Sequence, residues 1–127
     1  MNRAVIGVGS NIEPERNVPE ARRHITHRHV IVAASPFVQT RPVGCVDQPD
    51  FTNGALLVET PVDRERLRAD LKAIEALLGR RRGEKRYGPR TIDLDIVVWN
   101  GRVVDPDFHT REFLRQAVMA VLPDLEP

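Results

Sequence analysis

Thr91-Ile92-Asp93-Leu94-Asp95-Ile96-Val97-Val98-Trp99 has the β-branched, apolar composition of a strand, broken only by two carboxylates two positions apart. Side chains at i and i+2 of a strand point to the same face. Asp93 and Asp95 are therefore expected to project together, with Ile92, Leu94 and Ile96 facing the other way. Paired carboxylates on a buried strand are costly unless a cation compensates them. Hard oxygen donors on a rigid strand suit Mg²⁺, which takes one or two protein carboxylates together with substrate phosphates. Just upstream runs Arg80-Arg81-Arg82-Gly83-Glu84-Lys85-Arg86-Tyr87-Gly88-Pro89-Arg90, five arginines and one lysine against one glutamate. Such a loop complements a polyphosphate, and with a metal it points to phosphoryl transfer. Each half has a plainer reading: an Asp-x-Asp pair on a solvated edge strand, an arginine run that is a solvated loop or a nucleic-acid contact. Their adjacency, with Gly88-Pro89 delivering Arg90 three residues before Asp93, favours a site.

Around this strand the chain alternates between the two secondary-structure periods. Residues 3–9 read as a strand leaving through Gly9-Ser10-Asn11. A helix is expected next, with Asn17 and Glu20 as an N-terminal cap pair and Val18, Ala21 and Ile25 inward; Pro14 is an alternative first-turn residue. Residues 30–40 read as extended, with a bulge at Ser35-Pro36. A proline-rich loop from Arg41 to Asp50 leads to a strand from Phe51 to Thr60. Leu67, Leu71, Ile74 and Leu78 mark a helix over 63–78 that stops at Gly79. After the Asp-x-Asp strand, Asn100-Gly101 turns the chain, Val103-Val104 adds a short strand, and a last helix is expected over 110–122 with Phe113, Ala117, Val118 and Val121 inward. The order β-α-β-β-α-β plus a C-terminal helix predicts an α+β fold, a ferredoxin-like α/β/α sandwich with a mainly antiparallel central sheet.

Composition narrows the function classes. The chain has 127 residues, 41% hydrophobic and 29% charged, as expected of one globular domain over residues 1–127. A formal net charge of +1 gives no general bias towards nucleic acid or membrane. The positive charge is instead concentrated at 80–90, which argues for a local anionic ligand. Cys45 is alone, so neither a disulfide framework nor a thiolate metal cluster is expected. No apolar run reaches membrane-spanning length, and the expected compartment is the cytoplasm.

Three blocks of residues resemble one enzyme family. They are Gly9-Ser10-Asn11, the run from Pro42-x-Gly44 to Asp47-Gln48-Pro49-Asp50-Phe51-x-Asn53, and Arg86-Tyr87-Gly88-Pro89-Arg90-Thr91-Ile92-Asp93-Leu94-Asp95-Ile96. Together they are similar to 6-hydroxymethyl-7,8-dihydropterin pyrophosphokinase of folate synthesis, over residues from about 4 to 124. The resemblance implies that the hydroxymethyl oxygen of a reduced pterin attacks the β-phosphorus of ATP and AMP leaves. It implies two Mg²⁺ ions on Asp93 and Asp95, and Arg80 and Arg90 as catalytic-loop arginines. Thr40, Val43, Phe51, Asn53 and Phe113 would hold the pterin, the two phenylalanines by stacking. Glu75, Arg82, Tyr87, Arg90, Ile96 and Arg111 would lie at the nucleotide. The partners implied are ATP and the pterin alcohol, with no nucleic acid or membrane, in a monomer or a weak dimer.

The chain departs from the family pattern between Asp95 and the final helix, where it is several residues shorter. The family's Pro-His-Pro, whose histidine lies near ATP, stands here as Val104-Asp105-Pro106. Two other functions fit parts of the sequence. One is a pterin-binding or regulatory relative with weakened ATP use, suggested by Asp105. The other is an RNA-binding module using residues 80–90, for which only Phe37, Phe51 and Trp99 offer stacking rings on strands. His24 and His27, at i and i+3 of the first helix, are expected to be surface residues.

Overall fold

The computed structural model describes residues 1–44, 47–79 and 91–127. Its strands are β1 (Asn2–Ser10), β2 (Val30–Ala34), β3 (Val38–Thr40), β4 (Phe51–Thr60), β5 (Asp93–Trp99) and β6 (Arg102–Val103). Its helices are α1 (Pro14–Ile25), α2 (Arg64–Leu77), α3 (Asp107–Thr110) and α4 (Glu112–Val121). The strands form one sheet in the order β2-β4-β1-β5-β6, with β3 also paired to β4. Every pairing is antiparallel, as expected for an α+β chain.

The sheet is apolar on both faces and builds two cores. On one, Ile6, Val8, Leu56, Val58, Ile92 and Leu94 meet Val18, Ala21 and Ile25 of α1 and Leu67, Leu71 and Ile74 of α2. On the other, Val5, Ala55, Leu57, Val97 and Val98 meet Phe108 of α3 and Val118 and Val121 of α4. The expected parity of the Asp-x-Asp strand therefore holds: Ile92 and Leu94 face α1 and α2, and the aspartates face away. Beyond Ile96 a bulge intervenes, since Val5 pairs Val98 while Ile6 pairs Ile96. The extra residue lets Val97 and Val98 both enter the α4-side core and returns Trp99 to the other one.

Several local expectations are corrected. α1 starts at Pro14, the alternative first-turn residue, and not at the Asn17–Glu20 pair; it stands behind a left-handed Glu13 whose carbonyl accepts the first amide bonds. Proline suits the first helical position, where its missing N–H is no loss. Asn17 is buried instead, and its amide donates to the Ile12 carbonyl. Pro19 lies inside the helix on its exposed side, where water can serve the carbonyl its ring leaves unpaired. The last helix, expected over 110–122, runs Glu112–Val121, and a short α3 precedes it, set apart by Arg111 at φ −110° and ψ 103°, outside helical space. In the 30–40 segment, β2 and β3 both pair with β4 across a break at Ser35-Phe37. The Ser35 N–H donates to the Ala55 carbonyl at 2.9 Å and its Oγ accepts the Ala55 N–H at 2.8 Å. Asp63 caps α2 by accepting the Arg66 N–H at 2.8 Å, and Gly79 takes φ +102° just beyond its end.

Candidate active site

The site is laid out by the register of three strands. Asp93 on β5 lies opposite Gly9 on β1, and Gly9 lies opposite Asn53 on β4. In the neighbouring row Asp95, Gly7 and Ala55 stand side by side. Neither glycine carries a Cβ, so the sheet between the carboxylates and Asn53 is bare. A Cβ on Gly9 would sit 2.7 Å from Asn53 Oδ1, and one on Gly7 would meet Val97 Cγ2 at 3.2 Å. Above this floor opens a cavity of about 280 Å³.

One wall of the cavity comes from β3, β4 and the proline loop, through Thr40, Arg41, Val43, Phe51 and Asn53. The α3–α4 region contributes Asp105, Asp107, Arg111, Phe113 and Leu114 to the same lining. Phe51 of β4 and Phe113 of α4 both line this space, each only partly buried. The Asn53 amide donates to Thr40 Oγ1, which fixes its rotamer over the glycine floor. The turn after β1 anchors the surroundings. Ser10 Oγ donates to the Thr91 carbonyl at 2.6 Å, and Asn11 Nδ2 donates to Gln48 Oε1 at 2.8 Å and the Pro49 carbonyl at 3.0 Å.

Two carboxylates of the cavity, Asp95 and Asp105, have raised proton affinity. Burial, reinforced by the charge of Asp93, pushes Asp95 up to about 7 against an attraction from Lys72 that pulls it down. About 45% of the Asp95 side chain still meets solvent, so water moderates the cost of its charge. Burial also raises Asp105, opposed by the hydrogen bond it accepts from the Asp107 N–H. Among the described residues no third His, Cys, Asp or Glu joins the aspartates in a closed metal cage. Two hard oxygens on an open wall, charged at a cost, fit Mg²⁺ that completes its shell with substrate phosphates.

A second cavity of about 230 Å³ adjoins the first, and Asp95 and Asp105 belong to both. Arg64, Arg68, Leu71 and Lys72 of α2 form one side and Ile96, Val104 and Pro106 the other. Glu75, one turn along α2, is buried; its Oε2 accepts the Leu94 N–H at 2.7 Å and lies 3.3 Å from Lys72 Nζ. The carboxylate thereby satisfies the free edge of β5 between the two aspartates.

The family model described as 7,8-dihydro-6-hydroxymethylpterin-pyrophosphokinase matches residues 5–123. The chain belongs to this family. Among named relatives, the 2-amino-4-hydroxy-6-hydroxymethyldihydropteridine pyrophosphokinase of Haemophilus influenzae is 31% identical, over 96% of this chain and 82% of its own length. The enzyme of the same name from Methylorubrum extorquens is 36% identical, over 98% of this chain and 85% of its own. The mitochondrial folate synthesis bifunctional protein of Pisum sativum is 38% identical over 95% of this chain, which corresponds to 24% of that longer protein.

Within this pyrophosphokinase domain, Thr40, Val43, Phe51, Asn53, Asp93, Asp95, Arg111 and Phe113 are brought together around the first cavity. Ile96 lines the second, and Glu75 lies buried beneath it against Leu94. Arg80, Arg82, Tyr87 and Arg90 fall outside the described residues, as does Cys45. Sequence reasoning passed over Gly7, Lys72 and Asp107, and read Gly9 only as part of the Gly9-Ser10-Asn11 block. The i, i+2 glycines of a β-rich segment were a readable sign of a sheet face kept bare, and Lys72 three residues before Glu75 was a readable helical pair. Asp107 carried no such signal. Asp105, singled out for standing where the family has a histidine, both borders the two cavities and holds the first amide of α3.

Proposed function

We infer that this chain transfers pyrophosphate from ATP to the hydroxymethyl group of 6-hydroxymethyl-7,8-dihydropterin, giving AMP and the pterin diphosphate in folate biosynthesis. The observation that carries this is membership of the pyrophosphokinase family by a chain whose Asp93 and Asp95 line the same cavity as aromatic and amide side chains. A flat pterin would lie between Phe51 and Phe113, with Asn53, positioned by Thr40, meeting its polar edge and Val43 at the loop side. Its hydroxymethyl oxygen would then point along the bare glycine floor towards the aspartates. Glu75, Ile96 and Arg111 would stand at the nucleotide, and Arg80, Arg82, Tyr87 and Arg90 are assigned to the same job by sequence. Asp93 and Asp95 would hold two Mg²⁺ ions, which when bound neutralise phosphate charge and keep attacking and leaving oxygens in line.

The strand order, with helices on both faces, supports a ferredoxin-like sandwich in one domain over residues 1–127. No described helix is long and apolar enough to cross a membrane. A monomer in the cytoplasm is our working assignment. An RNA-binding role has little to stand on, because Phe37 and Trp99 pack against the α1–α2 core rather than across an open sheet face.

One observation favours a second reading, a pterin-binding relative with weakened ATP use. Asp105 presents a carboxylate to both cavities where polyphosphate is expected. Purified protein mixed with ATP, Mg²⁺ and the pterin alcohol separates the two. Stoichiometric AMP and pterin diphosphate establish the transferase. Saturable pterin binding without AMP establishes the alternative.

A further inference from the structure

Lys72 of α2 reaches Asp95, one of the paired carboxylates. Its Nζ stands 3.5 Å from Asp95 Oδ1 and 3.3 Å from Glu75 Oε2. These two partners differ in kind. The Glu75 side chain is 5% exposed and fixed by the Leu94 N–H, whereas the Asp95 side chain is 45% exposed and faces the cavity. Lys72 is therefore tied to an immobile anion on one side and to an exchangeable one on the other. Its own side chain is 42% exposed and lines the second cavity, which meets the first at Asp95. A divalent ion seated on Asp95 repels the ammonium and removes its partner. The tie to Glu75 keeps the displaced ammonium beside the site, where an anion can recapture it.

We propose that Lys72 is a resident counter-cation of Asp95 in the metal-free enzyme, and that it passes to the nucleotide's phosphates when a divalent ion takes Asp95. This rests on the metal-dependent, ATP-using function proposed above and adds an order to it. Metal alone has to displace a neighbouring positive charge; metal arriving with a polyphosphate gives that charge a new partner. Lys72 thus opposes the first event and assists the second. A lysine that merely decorated α2 would do neither.

The test is Mn²⁺ binding to the nucleotide-free enzyme, followed by electron paramagnetic resonance, and calorimetric binding of a non-hydrolysable ATP analogue at saturating Mn²⁺. Lys72→Met should bind Mn²⁺ alone about fivefold more tightly and the analogue about fivefold more weakly, the size an exposed ion pair supports. Lys72→Arg should restore both values towards the wild type. Lys72→Gln repeats the neutralisation with a polar side chain if the methionine variant proves insoluble. Unchanged or weaker Mn²⁺ binding in the neutral variants, or unchanged analogue binding, overturns the proposal. Asp95→Asn, measured alongside, isolates the underlying assignment: if it keeps wild-type Mn²⁺ binding with the analogue present, the metal site itself is misplaced, whatever Lys72 does.

Discussion

Asp95 behaves unlike the carboxylate of a salt bridge, and the sign of its pH effect follows from that. Its folded-state value of about 7 lies above the ordinary aspartate value of 3.8, chiefly through burial and then through the charge of Asp93. Between those values the native state keeps a proton that the unfolded chain releases. The metal-free protein therefore loses stability from this group as pH rises from about 4 to about 7, and the loss is complete above that window. Urea midpoints in a chelator, near pH 5 and near pH 8, should fall more across that interval for the wild type than for Asp95→Asn. Mg²⁺ added at the higher pH should recover the wild type alone, and parallel pH profiles for the two proteins would dismiss the effect. Turnover of Asp95→Asn should drop on the order of a hundredfold or more, because a charge-stabilising group at the phosphates is lost. At Asp105 the test has to separate charge from capping, since its carboxylate also accepts the Asp107 N–H at 2.9 Å. Asparagine keeps that acceptor and removes the charge. Asp105→Asn should tighten binding of an ATP analogue by about fivefold, roughly 1 kcal/mol for a partly exposed group. Calorimetry that finds no tightening places the carboxylate away from the phosphates.

At the scale of elements, the site depends on strands whose side chains are missing where they would block it. Gly9 illustrates this: its partner Asn53 occupies the space a Cβ would need, with Oδ1 only 2.7 Å from that position. Gly9→Ala should push the Asn53 amide off Thr40 Oγ1 and raise the pterin Kd by about tenfold, the cost of one disrupted polar contact. ATP-analogue affinity should stay close to wild type, and a pterin Kd within twofold of wild type would show that the floor tolerates a methyl group. The aspartate face was legible in the sequence because strand parity is local, and Ile92 and Leu94 made the buried side unmistakable. The helix stop at Gly79 was legible for the same reason. Parity ceased to be a guide at Val97-Val98, where the bulge is set by pairing with Val5 and Ile6, ninety residues earlier by sequence. The start of α1 stayed open between two signals, because the Asn17-Glu20 spacing mimics a cap while Pro14, the alternative, is the true first turn and Asn17 instead donates back to the Ile12 carbonyl. Glu75 likewise gave no local sign that it would be buried against the edge of β5.

Across the whole molecule, stability and site chemistry are concentrated at opposite ends of β4. Asn53 stands near its start, whereas Thr60 ends it about 23 Å away at ~3.3 Å per residue. There the buried ring of His29 joins three elements: Nδ1 lies 2.7 Å from Thr60 Oγ1, and Nε2 lies 3.1 Å from Asp70 Oδ2 on α2. The carboxylate of Asp70 also meets Arg66 Nε at 3.1 Å and Arg28 at 3.8 Å, so the ring completes a network already supplied with positive charge. Facing a carboxylate, Nε2 donates to Asp70, and Nδ1 shares a hydrogen bond with the threonine hydroxyl. A histidine between a hydroxyl and a carboxylate has the outline of a catalytic triad, yet Thr60 is 0% exposed and no substrate can reach it. The network is instead the fastening between the end of α1, α2 and the sheet. His29→Ala leaves the hydroxyl and one carboxylate oxygen short of a partner in a buried setting, which should cost about 1–3 kcal/mol of unfolding free energy. Because the loss lies at the far end of the strand, pterin and ATP-analogue affinities should remain within about twofold of wild type below the melting transition. Denaturant unfolding and calorimetric binding on the same preparation decide the matter. A variant as stable as wild type would mean that water replaces the ring without loss. A variant of reduced stability whose ligand affinities fall in step would mean that the two ends of β4 are coupled, and that the glycine floor depends on this fastening for its shape.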